Sequence, residues 1–442
     1  MAASDTKTHI YSATWLVTVD RQDRVLHEHA LVVRDRRILA ILPVEDALRR
    51  HPNADHTALP GQVLMPGLVN AHTHLAMTLF RGLADDLPLA DWLNGHIWPA
   101  EQRWVGDEFV HDGSLLAIAE LLRGGVTCFA DMYFFPDAVA RAAAHAGIRA
   151  LLHPPVLEFP TAWGSGPDEY IHKALALHDD FRGHPLITVG IGPHAPYTVS
   201  DDTFRRILML TNELTVPMPL QAHVHETAAE VSDALAAGGP RPLARLHALG
   251  LTGPSFQCVH MTTLDDADID ILVKTGTHVI HCPESNMKLA SGACPVGRLM
   301  AAGVNVALGT DGAASNNDLD MFSEMRTAAL LAKLTAGDPT VLPAPAALRM
   351  ATINGARALG LDAVTGSLEP GKSADFIAVS LAPPETQPVF DVLSQLVYAT
   401  GRQQVTHAWV AGEPLLVNRQ LTTINVGLAV QRAQDWAARM NA

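Results

Sequence analysis

The sequence predicts an α/β protein: a parallel (β/α)8 TIM barrel joined to a small β-sandwich domain built from both chain ends. Two features predict the barrel. The middle of the chain alternates strand-sized apolar runs with helical stretches, giving eight strands. Nearly every run then ends in His, Asp or a polar loop, at His72/His74, Asp131, His153, His194, His223, His260, His281 and Asp311. In a barrel those ends share one face, where chemistry sits. A third feature, β-rich segments at both termini, predicts the sandwich.

Taken in order, residues 9–11, 14–19, 30–33 and 37–42 read as short strands separated by charged turns such as Asp20-Arg21-Gln22-Asp23. The barrel strands are expected at 63–74, 126–133, 149–156, 187–193, 218–223, 256–260, 278–281 and 304–310. Helical spacing occupies 114–123, 137–146, 201–211 and 267–275 between them. Strand character returns at 373–379 and 405–412, and a helical tail covers 426–440. The expected division is 1–65 with 367–442 for the sandwich and C-terminal helix, and 66–366 for the barrel. A doubly wound sheet also alternates strand and helix, but more often with fewer strands.

Bulk properties exclude several classes. A length of 442 residues suits a large domain plus an accessory one. The net charge of −15 and the lack of any basic run argue against nucleic acid. No apolar run is long enough to span a bilayer, so no membrane partner is expected. Residues 1–7 lack the charged-then-apolar pattern of a signal peptide. The four cysteines show no CxxC spacing and read as buried free thiols in a reducing compartment, so the cytoplasm is expected.

The chemistry starts at Pro66-Gly67-Leu68-Val69-Asn70-Ala71-His72-Thr73-His74. Alternation along a strand puts His72 and His74 on one side, forming half of a metal site. After strand five comes His223-Val224-His225-Glu226, in which either His223 or His225 has the parity to supply a third ligand. Strand eight ends Gly309-Thr310-Asp311-Gly312, delivering one carboxylate, with glycines allowing close backbone approach. Three imidazoles, one carboxylate and an open position describe a catalytic divalent metal, zinc first, with iron or manganese as alternatives. Such an ion lowers the pKa of bound water to about 7. A two-metal variant bridged by a carboxylated lysine is disfavoured, because Lys173 is the only lysine in 101–200 and falls in a helical stretch.

These strings, together with His281-Cys282-Pro283-Glu284-Ser285-Asn286, resemble the amidohydrolase superfamily over essentially the whole chain. Within it, the segments 72–82, 85–89, 97–101, 192–197 and 309–317 are similar to the 5-methylthioadenosine/S-adenosylhomocysteine deaminases. The resemblance implies metal ligands His72, His74, His223 and Asp311, selecting His223 because the ligand lies three residues before the glutamate. It implies that Glu226 protonates a ring nitrogen of adenine and that Asp311 takes a proton from the attacking water. His260 would hydrogen-bond that water or the developing alkoxide. Glu101 would hold ribose hydroxyls, and His194 would contact the nucleoside; His281 receives no role.

The implied reaction replaces the 6-amino group of an adenine nucleoside with oxygen and releases ammonia. Candidate substrates are 5′-methylthioadenosine, S-adenosylhomocysteine and adenosine. Some relatives carry arginines in and after strand three, suited to a substrate carboxylate. Residues 153–166 here contain none, and Phe159 and Trp163 favour an apolar thioether. Methylthioadenosine is therefore expected to be used at least as well as the homocysteine compound. Guanine or pterin deamination and triazine dechlorination are the competing reactions on the same metal centre. A homo-oligomer, dimer or tetramer, is expected, with Trp98, Trp104 or the C-terminal helix as candidate contacts.

Overall fold

The computed structural model describes residues 7–214 and 218–442; most of the leading segment read for a signal peptide, residues 1–6, lies outside them. The barrel strands are Leu68–Thr73, Val126–Asp131, Arg149–Leu152, Ile187–Val189, Leu220–Val224, Phe256–His260, His278–His281 and Val306–Leu308. They are almost uniformly buried, as continuous apolar runs covered on both faces must be. Two four-stranded parallel arcs hold them. Parallel bridges Ile191↔Leu220 and Thr73↔Asp311 close the arcs into a ring. Small apolar side chains from opposite arcs, including Ala71, Cys128, Leu151, Val259, Ile280 and Ala307, form one buried cluster. Only the barrel interior brings those strands together, so this is a packed core and not a pore.

The expected first run, 63–74, is two strands with different partners. Residues up to Pro66 belong to Asp55–Pro66 in the terminal sheet, and the barrel strand starts at Leu68. Gly67 sits at the seam, where a Cβ would fall 2.0 Å from the Thr127 hydroxyl oxygen. The third and fourth strands are each broken, with Pro155–Val156 and Gly192–Pro193 pairing beyond the break. Pro154 and Pro155 remove two ladder donors at that point in strand three. Helix Asp107–Arg123 starts earlier than its periodicity indicated, on an acidic first turn that complements the helix dipole.

Strands from both chain ends form one nine-stranded sheet. Phe376–Ser380 runs antiparallel to Asp55–Pro66, which runs parallel to His9–Val17. Alternation gives the sheet two apolar faces. Leu64, Phe376 and Ala378 join a separate core with Tyr11, Leu31 and Trp409, in which Phe376 stacks on Trp409 at 4.4 Å. Val63, Met65, Ile377 and Val379 face the other way, into the main core shared with the barrel. A buried ion pair pins the two units. Arg149, opening barrel strand three, donates to Asp375 Oδ2 at 2.9 Å and to Oδ1 at 3.3 Å. The closing helix Val426–Met440 packs on Asp107–Arg123, with Trp436 against Phe109 at 5.2 Å and its indole N–H donating to Asp112 at 3.1 Å.

Candidate active site

His72, near the end of barrel strand one, and His74, just past it, meet His223 of strand five and Asp311, which follows strand eight. The His72 and His223 Nε2 atoms lie 3.2 Å apart. Asp311 Oδ1 lies 3.2 Å from His74 Nε2 and 3.5 Å from His72 Nε2. A tetrahedral zinc with ordinary Zn–N bonds places its ligand atoms about 3.3 Å from one another. Those three distances match such an ion, although the ligand atoms fall into two close groups that share His72: His72, His74 and Asp311, and His72, His223 and His260.

The outer nitrogens explain why the inner ones converge. His72 Nδ1–H donates to Gln221 Oε1 at 2.7 Å, His74 Nδ1–H to the Met132 carbonyl at 2.6 Å, and His223 Nδ1–H to the His194 carbonyl at 2.9 Å. Gln221 presents its oxygen because its amide donates to Ala71 O and Gln257 Oε1. Each acceptor fixes a tautomer with Nε2 facing inward. Burial first, then neighbouring imidazoles, hold His223 well below its usual pKa; burial also takes His72 down to about 4. Two unprotonated nitrogens facing each other at such a distance repel unless a cation lies between them. The donor set thus suits a divalent metal.

Asp311 is held ionised. Burial opposes its charge, but the His72 and His74 imidazoles beside it keep its carboxyl well below the usual range. His74 is correspondingly raised to about 9 despite burial, by Asp311, and a metal binding there displaces that proton. The far oxygen, Oδ2, accepts from Ser285 Oγ at 2.6 Å and Ser315 Oγ at 3.0 Å. Close packing of strand eight on strand one needs Gly309, where a Cβ would lie 2.8 Å from the His72 backbone nitrogen. Asp311 itself has φ 62°, and His260 φ 76°. Such left-handed backbone is uncommon outside glycine and clusters where side chains must be aimed.

Glu226 lies over this centre, its Oε1 3.8 Å from His260 Nε2. Burial, reinforced by the Asp311 charge, pushes it up to about 8, so it carries a proton at neutral pH. His260 Nδ1–H donates to Asn286 Oδ1 at 2.9 Å, leaving its Nε2 toward the site. His74, His223, Asp311, Glu226 and His260 line one cavity of about 530 Å3 together with His194, Glu101 and Tyr133. Its outer wall is apolar, with Trp98 packed on Phe159 at 5.8 Å, and no Lys or Arg lines it among the described residues.

Other residues singled out from the sequence fall elsewhere. His225 takes φ 52°, which breaks strand parity and turns its ring away. Its Nε2 accepts from the Leu243 N–H at 3.1 Å, so it is not the third ligand. Asp131 is a brace that accepts from the Leu75 N–H at 2.6 Å and the Thr73 hydroxyl at 3.1 Å. His153 and His281 are buried outside the cavity lining. Trp163 stacks on Tyr170 at 5.6 Å behind the wall and does not line the cavity, whereas Trp98, read as a subunit contact, does. Gln221, Tyr133 and Ser315 were missed. The first lies two residues before His223 on the same strand face, a usable signal; the Met132 carbonyl left none.

Residues 63–415 match the Amidohydrolase family. The chain is 51% identical over 433 residues to a 5-methylthioadenosine/S-adenosylhomocysteine deaminase of Saccharophagus degradans, covering 98% of this chain and 97% of that one. A crystal structure of an adenosine deaminase from Xanthomonas campestris with bound zinc superposes with a TM-score of 0.94 at 50% identity, covering 98% of each chain. An atrazine chlorohydrolase from Arthrobacter aurescens, complexed with zinc, gives a TM-score of 0.89 over 97% of this chain and 99% of that one; at 22% identity the likeness is one of fold.

Proposed function

The chain belongs to the amidohydrolase family, and from that premise we propose that it is a zinc-dependent deaminase of adenine nucleosides that prefers 5′-methylthioadenosine. One observation carries the reading: the buried carboxyl of Glu226 overhangs a cluster in which His72 Nε2 lies 3.2 Å from His223 Nε2 and 3.5 Å from Asp311 Oδ1, with His74 Nε2 3.2 Å from the same oxygen. His72, His74, His223 and Asp311 hold the metal, which when bound supplies Lewis-acid activation of water.

The chain's own groups do the rest. Adenine resists addition at C6 because addition breaks aromaticity. Glu226 gives its proton to the adjacent ring nitrogen, drawing electron density from C6. Asp311, kept anionic, takes a proton from the attacking water as the new C–O bond forms. His260, its Nδ1–H held by Asn286, accepts a hydrogen bond from the attacking water at Nε2. The proton on Asp311 passes to the amino group, the C–N bond breaks and ammonia leaves, and the remaining hydroxyl proton returns to Glu226 as the C6 carbonyl forms. An inosine-type product remains, so one water is consumed for each ammonia released. Glu101 and His194 bind the sugar and the base.

The 5′-substituent extends toward Trp98 and Phe159. An apolar wall without a cation suits a methylthio group and gives a homocysteine carboxylate no partner. Cytoplasmic location as a homo-oligomer is part of the same proposal, supported by four buried, unpaired cysteines and by exposed Leu330, Leu334 and Phe390. Ammonia release should be measured with methylthioadenosine, S-adenosylhomocysteine, adenosine and guanine, before and after chelation and on adding zinc back. The proposal expects the highest kcat/KM for methylthioadenosine, lost on chelation and restored by zinc. Turnover of guanine alone would sink it.

A further inference from the structure

Tyr133 takes no part in the steps above, yet its buried hydroxyl donates to Glu101 Oε1 at 2.6 Å in the cavity wall. It closes a tripeptide at the end of barrel strand two in which every residue holds something different. Asp131 braces the turn after His74, the Met132 carbonyl fixes His74 Nδ1–H at 2.6 Å, and Tyr133 holds Glu101. The metal ligand and the carboxylate are therefore secured by consecutive residues of one strand end, and backbone geometry sets their separation.

A phenol has one proton to give. Donated to Oε1, it fixes the plane of the carboxylate and leaves Oε2 free; among the described residues no other side-chain donor reaches Glu101. Burial pushes Glu101 up to about 7, so further donors are needed to hold it as the anion that accepts. A vicinal cis-diol brings two O–H donors on adjacent carbons.

We propose that Tyr133 is a positioning residue that orients Glu101 for a vicinal cis-diol and thereby makes the enzyme discriminate ribonucleosides from their deoxy counterparts. The inference rests on the adenine-nucleoside reading and on Glu101 as the sugar contact. The test compares wild type with Tyr133→Phe on methylthioadenosine and its 2′-deoxy and 3′-deoxy analogues, with zinc per chain measured for both. The ratio of ribo to deoxy kcat/KM should fall about tenfold in the variant, through KM for the ribo substrate, at unchanged zinc content. In a Glu101→Gln background the same change should lower the ratio no further, because the two act as one unit.

Equal losses on all three substrates, a loss confined to kcat, or loss of zinc would each overturn the proposal. An unchanged ratio in a variant that still deaminates sinks this inference alone. A wild-type enzyme inactive on every adenine nucleoside sinks the functional reading first.

Discussion

Barrel strand three is satisfied at one end and left open at the other. At its start, Arg149 meets Asp375, whose carboxylate also accepts from Ser373 Oγ at 2.7 Å and the Ala411 N–H at 2.6 Å. Just past its end, His153 is buried with neither ring nitrogen hydrogen-bonded, a short way from His72. The same contrast separates the sheet–barrel junction from the mouth as a whole. At the junction, charge is paired. At the mouth, Glu226 is buried within reach of the Asp311 charge, and Asp311, His260 and His225 adopt left-handed backbone. Groups that must exchange protons or take a metal are held there in desolvated or strained positions, and that arrangement is stabilised elsewhere.

Four substitutions or titrations probe that contrast. Glu226→Gln should have the largest effect, lowering kcat about 10^3-fold or more while zinc content stays near one per chain. Zinc loss there would make Glu226 a ligand and erase the division of roles. Arg149→Met should destabilise the protein by about 3–5 kcal/mol in denaturant unfolding, because Asp375 is left buried and unpaired. Zinc affinity should be unchanged in that variant; a large change would mean that the two ends are coupled. Gln221→Leu should weaken zinc about 10–100-fold in chelator competition, since His72 loses the acceptor that sets its tautomer.

The pH profile is the smallest effect. Glu226 is raised to about 8, so its acid form is present below that pH and lost as pH rises through it. Activity should therefore decline above about pH 8, and a pH profile of kcat/KM that stays flat to pH 10 would contradict the acid role.

Much of the fold was legible because strand-length apolar runs and their polar ends are local signals. Phe256–His260 and His278–His281 match the sequence expectation to the residue, as does the helix Val426–Met440. The site was legible where a ligand's spacing along one strand sets its direction, as for His72 and His74. It was not where a single dihedral decides. Parity alone cannot separate His223 from His225; the left-handed turn at His225 does. Trp163 was misplaced because an aromatic near a pocket-forming loop packs equally well behind it, here against Tyr170. Backbone acceptors such as the Met132 carbonyl carry no side-chain identity to read.

The seam at Gly67 limits how the molecule can be recombined. Asp55–Pro66 is bonded into the terminal sheet on both sides, and one residue later the same chain becomes the strand that delivers His72 and His74. The sheet is thus an alignment jig for the first two ligands and not a detachable cassette. A chimera that swaps in another protein's terminal strands must preserve their register against Phe376–Ser380. A one-residue slip there would arrive at the barrel as a rotated imidazole pair.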